Sequence, residues 1–119
     1  GNKLPIVSEN IKMKKALKYI TEKGLGVLII KNKKGNTTGI LTDGDIKRLT
    51  QKFENFYNLD IRKLMKKNPI SVEKNILAAE ALSLMNSKKI TCLCVHKNNN
   101  KRKTIGILHI HDILRANIS

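Results

Sequence analysis

The chain contains no tryptophan, and aromatic residues make up only 3% of it. Its core must therefore be aliphatic, built from Ile, Leu, Val, Ala and Met. The same scarcity argues against single-stranded nucleic-acid modules, which stack bases on aromatic side chains. Tyr19, Phe53, Phe56 and Tyr57 make no such platform. No apolar run approaches the ~20 residues of a membrane span, and the first residues lack a signal-peptide pattern, so no membrane role is expected. Cysteine is limited to Cys92 and Cys94. Two apart in an apolar run, they would share one face of a strand, where disulfide geometry is rarely met. They read as reduced, buried small hydrophobes, and a cytoplasmic setting follows. An initiator methionine is missing as well, and Gly1 reads as a tag remnant or a cut site.

Acidic residues are also few: 9 Asp and Glu stand against 24 Lys and Arg, for a formal charge of +15. Such a surplus suits nucleic acid or another polyanion. The basic residues, however, are spread from Lys3 to Arg115, with short clusters only at Lys31-Asn32-Lys33-Lys34, Lys66-Lys67 and Lys101-Arg102-Lys103. They accompany abundant Asn and Ile, a bias that an AT-rich genome produces without functional pressure. Polyanion binding stands as a rival reading carried by charge alone. A chain of 119 residues, 40% hydrophobic, can bury a real core but is short for two independent domains.

What the chain has is an internal repeat. Thr38-Gly39-Ile40-Leu41-Thr42-Asp43-Gly44-Asp45-Ile46-Lys47-Arg48-Leu49 matches Ile105-Gly106-Ile107-Leu108-His109-Ile110-His111-Asp112-Ile113-Leu114-Arg115-Ala116. Upstream, Ala16-Leu17 and Leu28-Ile29-Ile30 align with Ala81-Leu82 and Leu93-Cys94-Val95, and Leu4-Pro5-Ile6-Val7 with Asn68-Pro69-Ile70-Ser71-Val72. Two copies of one unit, 1–58 and 59–119, make up nearly the whole chain.

Each copy can be read coarsely. An extended segment at Pro5–Val7 leads to a helix from about Ile11 to Lys23, with Ile11, Leu17 and Ile20 inward and Lys12, Lys14, Lys15 and Lys18 toward solvent. Gly24 is its expected C-terminal cap. A strand at Val27–Ile30, a turn at Lys33–Asn36 and a strand at Gly39–Leu41 follow. The next helix opens near Asp43, a good N-cap, and carries Ile46 and Leu49 inward. The second copy repeats this with extended Pro69–Val72, helix Ile76–Lys88, strand Thr91–Val95, turn Asn98–Lys101, strand Ile105–Leu108 and helix Asp112–Asn117. The expected fold is α/β (α+β), with β-α-β-β-α twice.

A β-α-β-β-α unit closing on Gly-hydrophobic-hydrophobic-Thr-x-x-Asp resembles the CBS domain, which usually works as a tandem pair. The likeness covers almost the whole chain and both copies. Leu4-Pro5-Ile6-Val7, Gly39 to Arg48, Leu77-Ala78-Ala79-Glu80-Ala81-Leu82, Lys89-Ile90-Thr91 and Gly106 to Ala116 further resemble the carboxyl-terminal region of D-arabinose 5-phosphate isomerases. In those proteins a sugar-isomerase (SIS) domain precedes the CBS pair. The resemblance implies a parent reaction interconverting D-ribulose 5-phosphate and D-arabinose 5-phosphate, the first step toward Kdo in lipopolysaccharide or capsule synthesis. It also implies a pseudo-two-fold axis with two clefts, a homodimer or tetramer, and a nucleotide or nucleotide-sugar effector such as CMP-Kdo. On this reading the chain is an excised regulatory region, and the helix that opens the first unit, the counterpart of Asp60–Met65, falls before it.

Thr42 ends a strand where the next helix opens, so backbone N–H groups and the helix dipole favour an anion beside its hydroxyl. Asp45, one turn on, can reach the same side, and a carboxylate there suits neighbouring ribose hydroxyls. Phosphate on Thr42 and ribose on Asp45 is also what the resemblance implies. The plainer alternative makes Thr42 a local cap, with Asp43 and Asp45 as helix-start charges. In the second copy Asp112 keeps the carboxylate but His109 replaces the threonine, so a second site would have altered preference. By resemblance, the remaining walls are Leu4, Pro5 and Ile6 with Gly26-Val27-Leu28 in the first copy, and 69–71, including Ser71, with Thr91-Cys92 in the second. His111 fits either a site or a hydrogen-bonded helix start. His109 and His111 lack third and fourth partners at metal-ligand spacing, so no metal or required cofactor is expected. No catalytic constellation is visible, and any catalytic residues would lie upstream of this chain. A purely structural oligomerisation module that binds nothing is the remaining rival.

Overall fold

The computed structural model describes residues 4–24, 26–97 and 99–118. Gly1, Asn2 and Lys3, and Asn98 of the second expected turn, lie outside them. The described residues form a mixed α/β structure with two sheets and five helices, divided into two compact units, Gly1–Pro69 and Ile70–Ser119.

In the first unit, Met13, Ala16 and Ile20 recur at helical spacing and form the buried stripe of α1 (Met13–Lys23), while Lys12, Lys14, Lys15 and Lys18 are exposed. Leu17 and Ile11 are only partly buried, so the inward face is turned toward Met13 relative to the sequence reading. Gly24 closes the helix in the left-handed region (φ 62°), its N–H bonded to the Ile20 carbonyl. Four consecutive buried residues follow in β2 (Val27–Lys31), as expected of a strand covered on both faces. It pairs parallel with β1 (Ile6–Ser8) and antiparallel with β3 (Thr37–Thr42). The Asn32 side chain accepts from the N–H groups of Lys34 and Asn36 and so shapes the β2–β3 turn.

β3 runs directly into α2 (Asp43–Lys52), and Ile46 and Leu49 pack against the core. The chain returns through a short α3 (Ile61–Leu64) to β4 (Lys66–Lys67), which the sequence pattern did not reveal. β4 pairs antiparallel with β3, giving the order β1-β2-β3-β4. Gly39 in β3 is required here, because a side chain at that position would run into Met65 and the Lys66 carbonyl. The core joins Met13, Ala16, Ile20, Leu28, Ile30 and Leu41 with Phe56 and Ile61.

The second unit repeats the plan with β5 (Ser71–Glu73), α4 (Ala78–Lys88), β6 (Cys92–His96), β7 (Thr104–His109) and α5 (Ile110–Ile118), in sheet order β5-β6-β7. Even the register repeats. Val27 opposite Thr42 and Leu28 opposite Leu41 become Cys92 opposite His109 and Leu93 opposite Leu108. The break between Ile30 and Lys31 recurs between Val95 and His96. Its core is Val72, Ala81, Met85, Leu93 and Ile113. Sequence repeat and compact unit are offset by the segment 59–69. That segment opens the second sequence copy but packs on the first unit, through β4, Ile61 and an Asp60–Lys12 ion pair of 2.7 Å.

Candidate functional site

The junction of β3 and α2 gathers most of the residues singled out in the first copy. Thr42 is the N-cap of α2, and its hydroxyl oxygen accepts from the Asp45 N–H at 3.2 Å. Asp45 returns the contact: its Oδ2 accepts from the Thr42 N–H and from the Thr42 hydroxyl, both at 2.9 Å. This is a capping box with an aspartate in place of the usual glutamate. The other oxygen, Oδ1, accepts from Arg48 Nη2 at 2.6 Å and from Lys66 Nζ at 3.2 Å. Asp45 is buried, whereas both cationic side chains are largely exposed. Burial alone would push the Asp45 carboxyl up. The hydrogen bonds from the Thr42 backbone, Arg48, the Thr42 hydroxyl and Lys66 outweigh burial and hold it below the usual carboxylate value.

Around this junction, Asp43 is exposed and its N–H bonds the Gly26 carbonyl, so the β2 entrance is tied to the helix start. Gly26 adopts φ 69°, and a Cβ there would stand 3.1 Å from Asp43 Oδ2. Val27 lies opposite Thr42 in the ladder and is buried. Pro5 and Ile6 lie on the other side of β2, where the Pro5 carbonyl accepts from the Ile29 N–H; the Leu4 carbonyl is turned back onto the Ile6 N–H.

The second copy arranges its residues differently. His109 Nδ1 accepts from the His111 N–H at 3.1 Å, so an imidazole supplies the first-turn acceptor that a hydroxyl supplies in the first copy. The two histidine rings stack at 4.7 Å. Asp112 is exposed and forms no ion pair among the described residues. It borders a groove of about 290 Å³ floored by Ile76, Val95, Leu108 and Ile113. The Thr91 carbonyl accepts from the Ile110 N–H, just as Gly26 serves Asp43. The Ser71 hydroxyl meets Nδ1 of His96 at 2.5 Å, and His96 is buried. Cys92 and Cys94 are buried thiols, and burial pushes the Cys94 thiol up. Among the described residues no group of three or more His, Cys, Asp or Glu is placed to hold a metal ion, and no helix is long and apolar enough to cross a membrane.

Arg48, Lys66 and His96 were missed from sequence. Arg48 stands one turn beyond Asp45, a spacing that signals a helical ion pair. Lys66 reaches Asp45 because β4 joins β3.

The family model for the CBS domain matches residues 2–52 and again residues 61–119. The chain belongs to the CBS-domain family. Among curated proteins, this CBS pair is 37% identical over 118 residues to arabinose 5-phosphate isomerase KdsD of Yersinia pestis, covering 99% of the chain and 35% of that protein. It thus spans about a third of the length of that relative. The solved CBS-domain protein ATU1752 of Agrobacterium tumefaciens superposes with a TM-score of 0.86 at 19% identity, over 98% of this chain and 91% of that one. CBSX2, solved in complex with AMP, gives 0.79 at 22% identity, covering 97% and 87%. The CBS pair of protein MJ0100, solved with 5-methylthioadenosine and S-adenosyl-L-methionine, gives 0.80 at 24%, covering 97% and 89%.

Proposed function

We propose that this CBS pair is the regulatory region of a D-arabinose 5-phosphate isomerase and senses a nucleotide or nucleotide-sugar. The observation that carries the reading is the Thr42–Asp45 junction. It combines a hydroxyl at a helix N-terminus, a buried carboxylate and two exposed cations within one turn and one strand pairing. That set offers donors for a phosphate and a carboxylate that suits ribose hydroxyls once a present partner leaves. Leu4, Pro5, Ile6 and Val27 would flank the base, and Ser71, Thr91, His109, His111 and Asp112 would form a second site of different preference. The likeness to KdsD, the AMP bound by CBSX2 and the adenosine derivatives bound by MJ0100 support the assignment. CMP-Kdo, an end product of the pathway, is the effector chosen for the first test.

In this account the pair acts in the cytoplasm, attached to a sugar-isomerase domain that does the catalysis. Ligand binding favours one arrangement of those domains, with a coupling of ~1–3 kcal/mol. The isolated pair forms a homodimer, and the parent enzyme a larger oligomer. One observation favours a purely structural role instead: every acceptor position of Asp45 is already used inside the protein. A thermal-shift screen with AMP, ATP, CMP, CMP-Kdo, S-adenosylmethionine and arabinose 5-phosphate at two salt concentrations separates the readings. One nucleotide raising the melting point at both salts supports the sensor. Shifts with every anion that vanish in salt support polyanion binding, and no shift at all supports the structural role.

A further inference from the structure

A carboxylate's two oxygens offer about four acceptor positions. At Asp45 all four are taken: Oδ2 by the Thr42 N–H and hydroxyl, Oδ1 by Arg48 and Lys66. A ligand hydroxyl therefore cannot bond this carboxylate unless a present partner leaves. The two halves differ in what leaving means. The Oδ2 contacts are the helix cap itself. The Oδ1 contacts come from side chains that are 64% and 58% exposed, so a second anion can reach both cations from solvent. Arg48 is moreover folded back along α2, its guanidinium nitrogens 3.5 and 3.6 Å from where a Cβ of Gly44 would stand. That same point is 3.7 Å from the Thr42 hydroxyl. The cation thus waits at the end of the helix where anions are favoured.

Resting on the nucleotide-site reading above, we propose that Arg48 and Lys66 form an exchange latch on Asp45. The ligand's phosphate takes over both cations, and only then is Oδ1 free to accept the ribose hydroxyls. Phosphate and ribose recognition are coupled through one carboxylate, and the first CBS unit selects nucleotides over nucleosides by this coupling. Arg48 and Lys66 are specificity-determining residues that lie outside the Thr-x-x-Asp motif. Among the described residues the second unit lacks the device: Asp112 is exposed and forms no ion pair, and no strand pairs with β7 in the way β4 pairs with β3.

The test measures equilibrium dissociation constants of AMP against adenosine, and CMP against cytidine, for the 119-residue chain and for Arg48→Met, Lys66→Met and the double variant. In the unsubstituted chain the better monophosphate binds at least about tenfold tighter than its nucleoside, the effect of roughly one charge-assisted hydrogen bond. In the double variant that monophosphate weakens at least about tenfold while the nucleoside tightens severalfold. Each single variant shows the same signs at smaller size, so the test stands even where the double variant folds poorly. The gain in nucleoside affinity is the decisive readout, since cations that merely attract phosphate would leave it unchanged. A monophosphate that binds while nucleoside affinity stays flat or falls in the variants overturns the latch and leaves the nucleotide site intact. No binding of either monophosphate to the unsubstituted chain overturns both.

Discussion

Replacing Asp45 with asparagine keeps the side-chain shape and an acceptor for the Thr42 N–H but removes the charge. The loss falls on the Oδ1 contacts to Arg48 and Lys66, at 2.6 and 3.2 Å. Their exposed partners are screened by solvent, so each is worth about 0.5–1 kcal/mol, and relief from burying a charge offsets part of that. The net destabilisation at neutral pH is about 1 kcal/mol, or roughly 3–6 °C in melting temperature for a chain of this length. The pH dependence follows from the sign of the shift. The Asp45 carboxyl sits below its ordinary value of 3.8 in the folded protein. Its stabilisation is thus complete above that value and disappears as pH falls through the lower folded-state value. Thermal or urea melts of both proteins should differ at pH 7 and differ by less at pH 3, the gap closing further as pH falls through the folded-state value. A deficit of equal size at both pH values, or an Asp45→Asn protein more stable than the original at pH 7, would refute the ion-pair account.

Other substitutions probe the frame around the junction. Gly39→Ala places a methyl against Met65 and 3.1 Å from the Lys66 carbonyl, and should destabilise the protein by about 1–3 kcal/mol in urea unfolding; an unchanged midpoint would show that β4 yields freely. Ser71→Ala leaves the buried His96 Nδ1 without its partner and should lose about 1–3 kcal/mol, where a neutral result would mean that water or a rotated ring replaces the hydroxyl. Cys92 and Cys94 should resist a thiol-reactive dye in the folded protein and react once denaturant is added; rapid reaction without denaturant would contradict their burial.

The repeat made most of the fold legible, because each copy carries the same apolar spacing and the same strand-to-helix junction. α2 starts where expected, but its N-cap is Thr42 rather than Asp43, because the Thr42 hydroxyl is the group that accepts from the Asp45 N–H. The cap at Gly24 followed from residue type alone. β4 did not, since two exposed lysines carry no strand pattern and pair only because Gly39 opens space beside them. Met13 and Phe56 escaped the expected core for a related reason: α1 is turned toward Met13, and Phe56 sits in a loop without periodicity. At the site, Thr42 and Asp45 were visible as a motif whose three-residue spacing also suits a capping box, but the arrival of Lys66 depends on the pairing of β4 with β3. His96 was invisible because a lone histidine at a strand end gains meaning only when the Ser71 hydroxyl on the neighbouring strand reaches its ring.

The nucleotide-sensing claim meets its most direct test in calorimetric titration of the best-shifting nucleotide into the original chain and into Asp45→Ala, each at low and high salt. The account predicts saturable binding at both salts, weakened at least about tenfold in a variant that still melts cooperatively, in line with loss of hydrogen bonds to a charged group. Binding that is equal in the two proteins, or that disappears with salt in both, would contradict it.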